Sequence, residues 1–116
     1  MTRTAAAMLA IVFCSVAAAR PTMAENSTNA QLLGLSPVEQ AAILARIVGG
    51  GCLGKEVFYM GGGVSGFAKD KAFWSLRCLD GRELAIETRP DGSTIVVECA
   101  VLKAFNAGQC FEKLSD

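Results

Sequence analysis

The side chains able to do chemistry here are mostly acidic, hydroxyl or sulfur groups, because the chain contains no His. Without imidazole there is no Ser-His-Asp or Cys-His catalysis, and His ligation of haem or zinc is absent as well. Gly61, Gly63 and Gly66 fit G-x-G-x-x-G. That spacing lets a backbone approach a pyrophosphate only where a helix opens at the third glycine of a βαβ unit. Here Phe67 leads through Lys69 and Asp70 into another strand-like run, so a loose hairpin loop is expected in place of a nucleotide cradle. Ser65 is not a nucleophile elbow either, since Phe67 stands where the second glycine belongs. Glu83, Glu87 and Glu98 fall on neighbouring strand-like runs, and paired carboxylates do acid–base work when their surroundings separate the two pKa values. Arg77, Arg82 and Arg89 accompany them, which favours a solvated ladder of charges.

The cysteines carry a different message. Of the 5 Cys, Cys14 lies in an apolar run from Ala5 to Ala19 that follows Arg3 and precedes Arg20-Pro21 and Thr22-Met23-Ala24. A basic start, a short apolar middle and a small-residue exit describe an export signal, expected to span 1–24 and to be cut before Glu25. As a helix the apolar run would measure roughly 22 Å, short of the roughly 30 Å of a bilayer core. Phe13 is too bulky for the residue before a lipidated cysteine. After cleavage Cys52, Cys78, Cys99 and Cys110 remain, and an even set in a small exported domain reads as two disulfides. No pair forms C-x-x-C, which leaves neither thioredoxin-like chemistry nor ordinary zinc spacing, and no metal site is expected.

The elements that position these residues can be read from patterning. At 116 residues the chain supports one domain. Its 11 basic and 11 acidic residues give no basic excess for nucleic acid. Residues 25–35 read as a flexible polar lead-in, ahead of a single domain at 36–116. Ser36, Pro37 and Glu39 form a capping box, and Val38, Ala41, Ala42, Ala45 and Val48 recur at helical spacing until Gly49-Gly50-Gly51. This predicts a helix over 37–48. Four strand-like runs follow at 55–60, 72–79, 82–89 and 93–99, the last three separated by the turns Asp80-Gly81 and Pro90-Asp91-Gly92. Val101, Leu102 and Phe105 then predict a short helix.

The fold class is therefore α+β: an N-terminal helix, a four-stranded antiparallel meander with helices on one face, and a short C-terminal helix. A three-residue loop, Leu79-Asp80-Gly81, sets Trp74 opposite Ile86 and Leu76 opposite Leu84, which gathers the apolar side chains on one face. Ile95, Val96 and Val97 are apolar in succession and leave the β3–β4 register open; if that face also takes Ile95, Val97 and Cys99, it collects both Cys78 and Cys99. Cys78 and Cys99 then lie two strands apart, about 9.6 Å, beyond the roughly 7 Å that a bridge spans. Cys52 and Cys78 lie symmetrically about the Gly-rich loop, and Cys99 and Cys110 bracket the last helix. Of three connectivities, Cys52–Cys78 with Cys99–Cys110 is favoured. Phe58, Tyr59, Phe73 and Trp74 alternate, so some of them either form an exposed aromatic patch or lie beneath the segment holding Phe111.

The block Ala72-Phe73-Trp74-Ser75-Leu76-Arg77-Cys78, with Asp80-Gly81, Pro90-Asp91-Gly92-Ser93-Thr94, Glu98-Cys99 and Cys110-Phe111, resembles a group of small exported proteins of Gram-negative bacteria. The resemblance covers about residues 52–114, implies export and a disulfide-stapled fold, and brings no catalytic residues with it. The stretch from Leu84 to Val97 also looks loosely like the hairpin of PepSY-type modules, which implies binding or inhibition of envelope peptidases.

Together these readings predict a periplasmic or secreted interaction module without catalytic activity or cofactor. Its partner is expected to be another envelope protein or a peptide, and no span remains in the membrane after cleavage. The expected contact surface is the loop at Gly61, Gly63 and Gly66 with Phe58, Tyr59 and Phe67. The alternative is a small envelope enzyme working through the carboxylates of Glu83 and Glu87.

Overall fold

The computed structural model describes residues 26–63 and 66–114; the expected export signal at 1–24 lies outside them. The first element is one the patterning did not predict. Ser27–Leu33 form helix α1, so the stretch 25–35 is not simply a flexible lead-in. Asn26 caps it, its Oδ1 accepting from the Asn29 N–H at 3.1 Å. Seven residues make a marginal helix in water, so α1 depends on docking. Leu32 enters the apolar core, and Asn26 and Asn29 are fully buried.

Helix α2 runs Pro37–Val48, as the capping box predicts, with Ser36 and Glu39 bonding reciprocally. The Gln40 side chain donates to the Leu32 carbonyl at 2.8 Å and ties α2 to the end of α1. Gly49, at φ 71°, stops α2 in a conformation that a Cβ would oppose.

Strands β1 (Gly54–Gly62), β2 (Ala72–Cys78), β3 (Glu83–Thr88) and β4 (Thr94–Glu98) form one antiparallel sheet in the order β1-β2-β3-β4. Trp74 faces Ile86 and Leu76 faces Leu84, the register expected from a three-residue loop. The β3–β4 register decides which face of β4 meets the core. Ile86 pairs with Val96, so Val96 joins the core face and Ile95 and Val97 turn to the other. The cause is the turn: the Arg89 N–H donates to the Ser93 carbonyl across three residues, which sets the parity of the strand.

Helices α1 and α2 cover one face of the sheet, where Leu32 and Leu44 meet Trp74, Leu76, Leu84 and Ile86. Helix α3, Cys99–Ala104, packs on β3 and β4 and buries none of its residues. The chain then crosses the opposite face as a strap over residues 110–114. The Phe111 N–H donates to Ser75 Oγ at 2.9 Å and the Leu114 N–H to the Met60 carbonyl at 2.9 Å. Both disulfides pair as predicted, Cys52–Cys78 with Cα atoms 5.3 Å apart and Cys99–Cys110 at 5.7 Å. The first joins the α2–β1 turn to the end of β2, and the second anchors the strap to α3.

Candidate functional site

The residues expected to form one contact surface are divided between the faces of the sheet. Tyr59 lies on the helix side with its ring 4.7 Å from Trp74, and its hydroxyl accepts from Asn29 Nδ2 at 3.1 Å. Asn29 Oδ1 in turn accepts from Trp74 Nε1 at 2.8 Å, so Tyr59 belongs to a polar network inside the fold. Phe58 lies on the other face, its ring 6.4 Å from Phe111, and Arg77 sits 4.6 Å above the Phe111 ring. The strap therefore packs on this aromatic.

The glycine loop is held more closely than a loose hairpin. Gly63 donates to the Lys71 carbonyl and accepts from the Asp70 N–H, and Gly66–Ala68 close a single 3-10 turn that includes Phe67. A Cβ on Gly63 would stand 2.1 Å from the Ala68 carbonyl oxygen, which accounts for that glycine. Gly61 and Gly66 both have positive φ. The chain passes from β1 into the antiparallel β2 without the helix of a βαβ unit.

The carboxylates are also separated. Glu83 meets Arg77 at 2.6 Å, and Glu56 engages the same guanidinium. The hydrogen bond that Arg77 donates to Glu83, together with the charges of both carboxylates, raises the Arg77 pKa above its ordinary value. Glu87 pairs with Arg89 at 2.5 Å, whereas Glu98 lies opposite Leu84 and so on the other face from Glu83 and Glu87. Arg82 turns away from this ladder to Asp80, at 2.9 Å. The Arg82 N–H, together with its guanidinium, holds the Asp80 carboxyl below the usual range. Among the described residues no group of three or more Cys, Asp or Glu side chains gathers as a metal site would require.

What the fold does assemble is a trough between α2 and the turn that leads into β1. Val38, Ala42 and Arg46 form one wall and Gly51, Leu53 and Gly54 the other, around a volume of about 600 Å³. Beyond Val38 it continues into a smaller hollow, about 290 Å³, over Lys55 and Val57. Val38 is 80% exposed and Leu53 63%, unusual for apolar side chains standing on either side of one depression. Leu79 is also exposed, and its N–H donates to the Leu53 carbonyl at 2.8 Å.

Around the larger volume the described lining holds no acid, hydroxyl or free thiol, since Cys52 is bonded to Cys78, while the adjoining hollow adds Lys55 and Glu56. The one charged side chain around the larger volume, Arg46, makes no ion pair or hydrogen bond among the described residues. The N–H groups of Gly50, Gly51 and Leu53 have no acceptor there either. Such a surface can enclose an apolar group and donate hydrogen bonds.

No family model, curated protein or solved structure matches this chain. The site therefore stands on its own geometry. Its residues had a sequence signal, since Val38 and Ala42 belong to the apolar series of α2. Only Ala41, Leu44 and Ala45 of that helix are buried, while Val38 and Ala42 are exposed. An apolar arc wider than one contact face is the mark of a helix with a second surface to cover.

Proposed function

We propose that this protein is an exported, non-catalytic interaction module of the cell envelope that holds a partner protein or peptide in the α2–β1 trough. The observation that carries the reading is the pairing of exposed Val38 and Leu53 across a depression free of reactive groups. Burying both on a partner is worth about 1.5–3 kcal/mol for each side chain, a contribution unused in the isolated chain. The two disulfides support an oxidising compartment, and among the described residues no helix is long and apolar enough to cross a membrane. Cleavage before Glu25 and residence in the periplasm or outside the cell complete the reading. The hairpin resemblance narrows the partner to an envelope peptidase. The trough takes the place of the Gly61–Gly66 loop as contact surface because Phe58 and Tyr59 are separated by the sheet.

The test is quantitative capture from an envelope extract with the wild-type chain, Leu53→Asp and, as a control on a distant apolar residue, Phe105→Asp. A partner is expected with the wild type and Phe105→Asp and lost with Leu53→Asp. Equal recovery by all three chains, or by none, overturns the reading. Intact mass of the exported chain checks its location: a start near Glu25 and a gain of about 4 Da on reduction are expected, two hydrogens for each of two disulfides.

A further inference from the structure

We infer that the occupant of the trough is the C-terminal tail of a partner, an extended apolar peptide whose free carboxylate docks at the Arg46 end. This rests on the reading of the trough as the contact surface and adds the chemistry of what fills it.

Three observations point to the same end-group. Arg46 is the one charged residue among those described around the larger volume and has no counter-charge among the described residues. A second guanidinium, that of Arg82, reaches the same turn and donates to the Gly50 carbonyl at 3.0 Å. Asp80 balances Arg82 by pairing with it, so Arg46 leaves this end of the trough with a net positive charge. Of the turn residues that line the volume, Gly51 and Leu53 keep N–H groups without an acceptor among the described residues. Gly50 and Gly51 have φ of 59° and 79°, a conformation few other residues would hold there. Backbone donors beside a guanidinium form the arrangement by which proteins take a terminal carboxylate.

The remainder of the trough is apolar, through Val38, Ala42 and Leu53. It is an open channel with no enclosed cavity, and its donors lie along a stretch of backbone. A peptide offers a carboxylate and a carbonyl at every residue to meet such donors. An acyl chain offers one polar end and would leave the remaining backbone donors without an acceptor. Charge and donor spacing together favour the peptide.

The experiment uses two degenerate hexapeptide libraries, one with free C-terminal carboxylates and one amidated, passed over the immobilised oxidised protein. Retention of the free-acid library about tenfold above the amidated one is expected, the size of one charge-assisted contact. Arg46→Gln should erase the difference and Arg46→Lys restore most of it, with Trp74 fluorescence confirming that each variant is folded. Equal retention of both libraries, lost in Leu53→Asp, overturns the end-group while leaving the trough as contact surface. Retention of neither library above the Leu53→Asp background overturns both. Binding of a long-chain fatty acid in place of either library overturns the peptide in favour of a lipid.

Discussion

Asn29 is the side chain on which the docking of α1 turns. Its oxygen satisfies the Trp74 indole and its amide bonds the Tyr59 hydroxyl. Asn26 does the same one turn earlier, donating to the carbonyls of Asp70 and Thr88 at 2.9 and 3.0 Å. These residues were read as lead-in because burial is normally signalled by apolar periodicity, and a polar network leaves no such trace. Truncation leaves the indole N–H buried without a partner, which costs about 1–3 kcal/mol. Asn29→Ala is predicted to lower the urea-unfolding free energy by about 2–3 kcal/mol with a red shift of Trp74 emission, whereas the exposed neighbour Leu33→Ala changes it by less than about 0.5 kcal/mol. Equal effects from the two would contradict the network.

Acid sensitivity also belongs to single residues. Asp91 accepts from the Ser93 hydroxyl and then its N–H, and Asp80 from the Arg82 N–H and guanidinium, so both carboxyls lie below their ordinary range. The unfolded chain therefore takes up these protons first. The stabilisation is present above about pH 4 and disappears as the pH falls through the lower values of the folded state. Asp91→Asn is predicted to flatten the decline of the thermal midpoint below about pH 4. A decline as steep as that of the wild type would show that Asp91 contributes nothing to it.

At the scale of elements, the most legible parts were those where turn chemistry and capping agree. Helix α2 has its predicted bounds, and the β2–β3 register follows from a three-residue loop with Gly81 at φ 94°. The same loop type at Pro90-Asp91-Gly92, with Gly92 at φ 90°, set β4. There Ile95, Val96 and Val97 are apolar in succession and give no alternation from which to choose a face. The strap was less legible still, because a five-residue segment held by two N–H donors and by the contacts of Phe111 with Phe58 and Arg77 and of Lys113 with Tyr59 has no period. The Cys99–Cys110 bridge closes its loop, and bridges of this size contribute about 2–3 kcal/mol. The double variant Cys99→Ser/Cys110→Ser is predicted to lose about that much stability and to leave Trp74 emission little changed, since the strap's Phe111 packs on the opposite face and its Lys113 reaches the Tyr59 ring, at 5.6 Å, rather than the indole. A shift in Trp74 emission would mean that the two faces are coupled more tightly than their packing indicates.

The whole molecule is a sheet covered on both faces by unlike means, with two helices on one side and a disulfide-anchored strap on the other. Small domains bury a limited share of their surface, and two bridges compensate for the modest core. This arrangement was foreseen in outline, including both pairings. The site was not, because the exposed half of the α2 stripe becomes a contact surface only when the turn carrying Leu53 folds back beside it. No periodicity reports that neighbour, which the Cys52–Cys78 bridge and Gly54 bring into place. A Cβ at Gly54 would meet the Ala41 carbonyl oxygen at 2.6 Å, so the strand begins where only glycine allows α2 so near.

The most direct test of the trough is photo-crosslinking in living cells, with a photoreactive phenylalanine analogue placed singly at Val38, Leu53, Phe58 and Phe105. The account predicts adducts of one common size from positions 38 and 53 and none from 58 or 105. Adducts from position 58 alone, or none from 38 and 53, would contradict it.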